Sequence, residues 1–293
     1  MSYDLFFYTQ GDRQISKEKL QDYFSTLPYF SGEWNYRNPY TGVYFSFAHV
    51  PPGDKTKLKA KTGFLGARLA FNIDYNKPTF FAHEAMPVVA ALCQQLDLQV
   101  LDPQDHVIQG SQQPKIAKAE ELVASWVKVN RMAVRVYRYT IGGVLYYSRQ
   151  KGQQWWTYQY HLPAIRQQLG DTIAAPDLLL LQDRSARMVC STAAWRDASP
   201  SLFPPCERVI IFRTAIPDEQ GHKGAPTFGW VEADELRLKL AGYMDKLETD
   251  AGVLDVLRPE KAPLVQPIFQ TLPLNSGVET FKKIPPDGLV DEG

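Results

Sequence analysis

The sequence has few cysteines, and their positions matter more than their number. Cys93, Cys190 and Cys206 are far apart, lie in apolar or proline-rich segments and form no Cys-x-x-Cys motif. Disulfide frameworks and zinc sites need thiols at closer, organised spacings, so the sequence argues against both. It predicts three buried free thiols in a reducing compartment.

The chain also lacks an excess charge of either sign and a long apolar run. Thirty-two lysines and arginines balance thirty-two aspartates and glutamates over 293 residues. A neutral chain has no global field that would hold a nucleic acid or an anionic membrane. No segment reaches the ~20 apolar residues of a membrane span, and the N-terminus has no signal-peptide pattern. We therefore expect a cytoplasmic protein that binds neither nucleic acid nor membrane.

Recognisable catalytic motifs are missing as well. His83-Glu84 resembles half of a zincin motif, but Pro87 and Val88 stand where the second histidine is required. No Gly-x-Ser-x-Gly motif of a nucleophilic serine lies near any of the five histidines. The sequence predicts no catalytic residue, no metal site and no cofactor.

Paired carboxylates leave one catalytic alternative open. Glycoside hydrolases need only two acids that face one cleft, without a local motif. Five acids lie at the ends of predicted elements: Glu84, Asp102, Asp177, Asp183 and Asp197. The alternative function is therefore a hydrolase or nucleotide-modifying enzyme that uses carboxylates in a cleft between domains.

Large aromatic rings are abundant. Residues 155–161 contain five rings, counting the imidazole of His161. Such rings anchor protein cores and recognition surfaces alike, and both roles stay open here. Tryptophan also lies near arginine at residues 34–37 and 195–196. The predicted partner-binding residues are Trp34, Tyr36, Arg37, Trp155, Trp156, Tyr160, Trp195 and Arg196.

The succession of apolar patterns predicts an α+β protein. Strands and helices in the first 105 residues follow the order βαββαβ, which is the split βαβ or ferredoxin-like topology. The last helix is predicted over residues 232–247. The predicted organisation is a ferredoxin-like domain at 1–105, a linker at 106–114, a helix-rich α/β domain at 115–258 and a proline-rich extended tail at 259–293.

Four segments of the first domain carry a resemblance to known proteins. They are residues 2–8 (SYDLFFY), 38–47 (NPYTGVYFSF), 81–85 (FAHEA) and 102–104 (DPQ). The chain resembles, in these segments, uncharacterised bacterial proteins associated with polymorphic-toxin and type VI secretion immunity. The resemblance implies a protein that binds a cognate toxin or effector and inhibits it, and it supplies no catalytic residue. The favoured function is a non-catalytic immunity protein.

Overall fold

The computed structural model describes residues 2–51, 63–105, 113–140, 145–184, 188–214 and 225–292. Helices and strands are interspersed along the chain, which confirms the predicted α+β class. The chain forms two compact units. Unit 1 comprises Met1–Arg149 and Pro286–Gly293, and unit 2 comprises Gln150–Pro285.

The regular elements are numbered in chain order. The α-helices of the described residues are α1 (Lys17–Ser25), α2 (Phe80–Leu96), α3 (Ala119–Thr140), α4 (Arg149–Leu169), α5 (Ala233–Leu240) and α6 (Ala262–Thr271). Their strands are β1 (Ser2–Gln10), β2 (Phe30–Ser31), β3 (Asn35–Arg37), β4 (Tyr44–His49), β5 (Phe64–Asp74), β6 (Gln99–Leu101), β7 (Leu145–Tyr147), β8 (Leu179–Asp183), β9 (Met188–Arg196), β10 (Ser201–Phe203), β11 (Arg208–Arg213), β12 (Thr227–Glu232), β13 (Asp245–Thr249), β14 (Gly252–Leu257), β15 (Phe281–Lys283) and β16 (Leu289–Asp291).

The main sheet of unit 1 has the strand order β2-β3-β4-β5-β1-β6, with antiparallel pairing throughout. Its strands β6, β1, β5 and β4 are joined by α1 and α2 in the split βαβ topology. The predicted βαββαβ order is therefore confirmed, and two short strands, β2 and β3, extend the sheet at the β4 edge.

One face of this sheet is an aromatic core. Alternate residues of β1, namely Tyr3, Leu5 and Phe7, are fully buried, as expected for a strand with one face against helices. Phe24 of α1 packs with its ring centroid 4.8 Å from that of Phe47 in β4. The period-two pattern thus places every second side chain of these strands in the core of unit 1.

The opposite face of the same sheet is polar. Asn35, Ser46, Asn72 and Asp4 lie side by side in one row across β3, β4, β5 and β1. The amide of Asn72 donates to the Asp4 carboxylate at 2.7 Å. Two side chains of this row, Asn72 and Asp4, are therefore paired on the sheet itself.

Unit 2 contains a five-stranded sheet of order β12-β11-β9-β8-β15 and a three-stranded sheet of order β10-β14-β13. In the larger sheet β9 and β11 run parallel, and the other pairs are antiparallel. One face of the larger sheet is covered: the Trp195 ring of β9 meets the Phe269 ring of α6 at 4.9 Å. We call this the covered face and the other the open face.

The last predicted helix is shorter than expected. The helix α5 ends at Leu240, and β13 and β14 follow as a hairpin whose turn contains Gly252 with a φ of 103°. Tyr243, Met244 and Leu247 keep the helical spacing of the preceding leucines, so the pattern alone extended the helix too far. Glycine is suited to this turn because it adopts a positive φ without steric cost.

The C-terminal segment, predicted as an extended tail, contains regular structure. Residues 262–271 form α6, and β15 and β16 follow. Pro263 lies in the first turn of α6, where its missing N–H removes no hydrogen bond. The β16 strand pairs in parallel with β7 in unit 1. The prolines thus mark a helix start rather than an extended chain.

The division between the units lies at Arg149/Gln150, later in the chain than the predicted linker at 106–114. Residues 106–112 of that linker lie outside the described residues, as do the lysines at 55, 57, 59 and 61. Within the part of the chain that the structure describes, no helix is both long enough and apolar enough to cross a bilayer.

Candidate protein-binding surface

Four of the eight predicted partner-binding residues are core residues: Trp34, Tyr36, Trp155 and Trp195. The indole N–H of Trp34 donates to Gln21 Oε1 at 3.0 Å, and that of Trp155 donates to the Leu178 carbonyl at 2.9 Å. Large rings gain most from burial when their polar atom also finds a partner. These four side chains therefore stabilise the fold and present no contact area at the surface.

Strand geometry separates neighbours that the sequence places together. Trp195 and Arg196 are adjacent on β9, but successive strand residues point to opposite faces of a sheet. Trp195 lies on the covered face, where its indole N–H donates to the Ser199 carbonyl at 2.9 Å, whereas Arg196 is exposed. Tyr36 and Arg37 of β3 divide in the same way, with Tyr36 buried and Arg37 exposed.

The other four predicted residues reach the surface. Trp156 is half-buried and Tyr160 is exposed, and their rings lie one turn apart on α4 in a tilted arrangement, with centroids 5.3 Å apart. Arg196 lies on the same unit, while Arg37 belongs to unit 1. The structure thus brings Trp156 and Tyr160 together in unit 2, whereas Arg37 belongs to unit 1.

A further aromatic pair lies on the open face of unit 2. Phe212 of β11 stands opposite Arg196 of β9 on one side and opposite Phe228 of β12 on the other. The Phe212 and Phe228 rings stack with centroids 6.5 Å apart, and they are 36% and 54% exposed. With the exposed Ala194 on the same face of β9, these residues form what we call the Phe212–Phe228 patch: Ala194, Arg196, Phe212 and Phe228.

The charge of Arg196 is unpaired within the described residues, where its side chain forms no ion pair or hydrogen bond. The next residue, Asp197, has a φ of 49°, and its carboxylate accepts hydrogen bonds from the backbone N–H and hydroxyl of Thr214 at 2.6 and 2.5 Å. Asp197 is therefore held by Thr214 and not by the neighbouring Arg196. The patch offers a guanidinium beside two exposed rings.

Another part of the open face, around Trp230, is covered. Trp230 of β12 exchanges backbone hydrogen bonds with Asn275, and its indole N–H donates to the Ser276 carbonyl at 3.0 Å. The guanidinium of Arg208 lies 4.0 Å from the centroid of the Trp230 ring and 3.5 Å from Asp183 Oδ2. Chain segments thus cover Trp230 but leave the neighbouring Phe212–Phe228 patch exposed on a rigid sheet.

The sequence contained a partial signal for this patch. Residues 209–212 form a continuous apolar run, which is typical of a strand with two apolar faces. Such a run does not indicate which face the rest of the chain will cover. The exposure of Phe212 and Phe228 depends on where residues 272–281 pack, and no local pattern encodes that.

Two of the five candidate acids are buried in unit 1. Glu84 of α2 accepts hydrogen bonds at Oε1 from the Tyr36 hydroxyl (2.8 Å), the Asn38 amide (2.8 Å) and the Thr41 hydroxyl (3.1 Å). These contacts connect α2 with β3 and with the turn before β4. Glu84 is therefore the centre of one buried hydrogen-bond network.

Asp102 is the second buried acid of unit 1. Its carboxylate accepts from the Tyr3 hydroxyl, from the Ser125 hydroxyl at 2.6 Å and from the Gln104 backbone N–H at 2.9 Å. In unit 2, Asp177 binds Arg166 at 3.1 Å. Each of the five acids has its own donors on the protein, and the carboxylate-based enzyme stays a prediction.

No group of three or more histidine, cysteine, aspartate or glutamate side chains within the described residues is arranged to hold a metal ion. His83 is partly buried, and this burial is the main reason that its pKa is lowered. Nearby Asp291 raises the pKa of His83, and Arg149 lowers it further. The imidazole is therefore biased towards its neutral form.

The three cysteines are free and buried, as predicted. Burial raises the pKa of the Cys93 thiol to about 12 and that of the Cys206 thiol to about 11. The pKa of Cys190 is also raised by burial. Because the thiolate is the reactive form, these side chains are inert packing groups at neutral pH.

Comparisons with models of protein families, with curated proteins and with solved structures returned no match. The immunity function implied by the resemblance therefore enters below as a proposal.

Proposed function

We propose that this chain is a non-catalytic binding protein and that the Phe212–Phe228 patch docks a partner protein. The observation that supports this is the row formed by Phe228, Phe212 and Arg196 across three neighbouring strands of one sheet. Phenylalanine and arginine are both enriched in the cores of protein interfaces, and this row combines two exposed stacked rings with an unpaired guanidinium.

Energetic estimates favour a partner at this position. Complete burial of a phenylalanine side chain contributes roughly 1.5–3 kcal/mol. Phe212 and Phe228 retain much of that surface in water, and they lie on adjacent strands, so little side-chain or backbone order has to be gained on binding. A partner that covers both rings and offers a carboxylate to Arg196 matches the patch in shape and charge.

We propose further that the partner is a bacterial toxin or secreted effector and that the chain acts as its immunity protein. The four segments that resemble immunity-associated proteins support this assignment. The neighbouring rings of Trp156 and Tyr160 on α4 supply a second ring-rich contact on the same unit. Stoichiometric binding in the bacterial cytoplasm would neutralise the toxin without any chemical step.

The test uses the full chain and the purified toxin or effector encoded beside its gene. We expect a complex that survives gel filtration. The double variant F212S/F228S and the single variant R196E should each weaken binding at least tenfold by titration calorimetry, since they remove interface anchors. The variants should also lose the ability to protect growth when the toxin is produced.

Matched controls lie elsewhere on unit 2. Leu238 and Lys239 are exposed on α5, so L238S removes an exposed apolar side chain and K239E reverses an exposed charge. Both controls should bind like the unchanged protein. Equal losses in the controls and the patch variants would reject the patch, and failure of the full chain to bind the toxin would reject the immunity function.

A further inference from the structure

Unit 1 contains a polar cavity that the protein-binding function does not use. Its volume is about 430 Å³, and α3, β7, the first residue of α4 and the C-terminal residues around β16 line it. Three guanidiniums, from Arg131, Arg135 and Arg149, lie on its walls together with the Tyr146 side chain. Cavities of this size accommodate small-molecule ligands.

Two of these arginines repel each other. Arg131 and Arg135 are four residues apart on α3 and therefore lie on the same side of the helix. Both are exposed, and neither side chain forms an ion pair or hydrogen bond within the described part of the chain. Like charges at this spacing destabilise a helix slightly, and an anion bound between them would remove that cost.

The third arginine is held in place by a buried carboxylate. Asp291 is 5% exposed, accepts from Arg149 Nε at 3.0 Å and also accepts from the Thr79 backbone N–H at 3.2 Å. Arg149 uses only its Nε for this contact, and its two terminal nitrogens form no hydrogen bond with the described residues. They are therefore available as donors on the cavity wall.

The negative groups of the cavity limit what it can bind. Three guanidiniums face two carboxylates, those of Asp291 and the exposed Glu292. Because Asp291 is already paired with Arg149, the local excess of positive charge is small. A ligand must then be held by directed hydrogen bonds to several guanidiniums rather than by a diffuse field.

A buried amide makes the cavity wall rigid. Asn130, the single polar position on the apolar stripe of α3, lies beside Arg131 and is 1% exposed. Its side-chain nitrogen donates to the carbonyls of Tyr75 and Lys77, at 2.5 and 2.9 Å, which fixes α3 against the end of β5. The arginines are thus presented from a helix whose position is set by buried hydrogen bonds.

We propose that this cavity binds a small molecule that carries a phosphate or pyrophosphate group. One guanidinium matches the two oxygens of a carboxylate, whereas three guanidiniums on one cavity match a group with three or more oxygens. The cavity volume leaves room for an organic group beside the phosphate. The site lies within unit 1, so the proposal is independent of the Phe212–Phe228 patch.

The experiment is calorimetric titration of the full chain with inorganic pyrophosphate, inorganic phosphate and citrate at low ionic strength. We expect saturable binding of pyrophosphate, weaker binding of phosphate and little binding of citrate. The double variant R131Q/R135Q should lower the affinity for pyrophosphate at least tenfold. The variants R131K/R135K keep the charge but lose the planar fork, and they should lower it less.

The control is R37Q, because Arg37 is an exposed arginine of the same unit whose side chain is likewise unpaired within the described residues. It should leave pyrophosphate binding unchanged, and unfolding curves should show that all variants are folded. Absence of saturable binding, an equal loss with R37Q, or tighter binding of citrate than of pyrophosphate would overturn the proposal.

Discussion

The two large sheets differ in the side chains on one of their faces, which is the face opposite the aromatic core in unit 1 and the open face in unit 2. In unit 1 the face away from the aromatic core carries a row of polar side chains, two of which, Asn72 and Asp4, hydrogen bond to each other. In unit 2 the open face carries Phe212, Phe228 and an unpaired Arg196. A polar sheet face can stay in contact with water at little cost, whereas exposed rings on a sheet are typical of a contact surface.

The strongest test of this contrast compares two neighbours on β9. Trp195→Ala should lower the free energy of unfolding by about 3–5 kcal/mol, because it leaves a large cavity on the covered face. Arg196→Ala should change it by less than about 0.5 kcal/mol, since that side chain is exposed. Chemical denaturation measures both. Similar losses for the two variants would mean that the two faces are not distinguished as described.

A second test concerns the buried polar network of unit 1. Glu84→Ala should lower the free energy of unfolding by about 2–3 kcal/mol, because the donors of Tyr36, Asn38 and Thr41 lose their shared acceptor inside the core. Glu33→Ala removes a carboxylate from an exposed ion pair with Lys17 and should cost less than about 1 kcal/mol. Equal losses for the two variants would show that the Glu84 network contributes nothing to the free energy of unfolding.

The third and smallest effect is a pH dependence that differs between the units. The folded-state pKa values of the thiols are raised, so above pH 9 the unfolded chain loses thiol protons that the folded chain keeps. Stability therefore falls as the pH rises, by roughly 1.4 kcal/mol per pH unit for each thiol.

Unit 1 has one such thiol, Cys93, and unit 2 has two, Cys190 and Cys206. The free energy of unfolding of the full chain, measured by denaturation between pH 9 and 10, should fall as the pH rises. Cys93→Ala should reduce this slope by the contribution of one thiol. The double variant C190A/C206A should reduce it as well, because burial raises the pKa of both thiols. If none of these variants changes the pH dependence of the free energy of unfolding, groups other than the thiols cause it.

Much of the fold follows from local patterns in the sequence. The alternation of buried rings in β1 and β4, and the helical spacing in α1 and α2, predict the βαββαβ order correctly. These patterns work because one face of each element packs on a single core. The end of α5 and the C-terminal elements escaped prediction because their limits depend on distant partners, as in the pairing of β16 with β7.

The candidate surface was less accessible to sequence reasoning. The tryptophans and tyrosines of the sequence indicated ring-rich segments. Whether each ring is buried, however, depends on the face of the sheet on which it lies. Adjacent strand residues such as Trp195 and Arg196 lie on opposite faces. Phe212 meets Arg196 and Phe228 only through strand register. Register between strands that are far apart in the chain leaves no local trace, so the sequence could suggest the residue types but not their assembly.

The return of residues 286–293 to unit 1 has a consequence for biosynthesis. Asp291 caps the start of α2 through Thr79 and anchors Arg149. All of unit 2 is translated before this carboxylate exists. Unit 1 therefore completes these hydrogen bonds only after the whole of unit 2 has been synthesised.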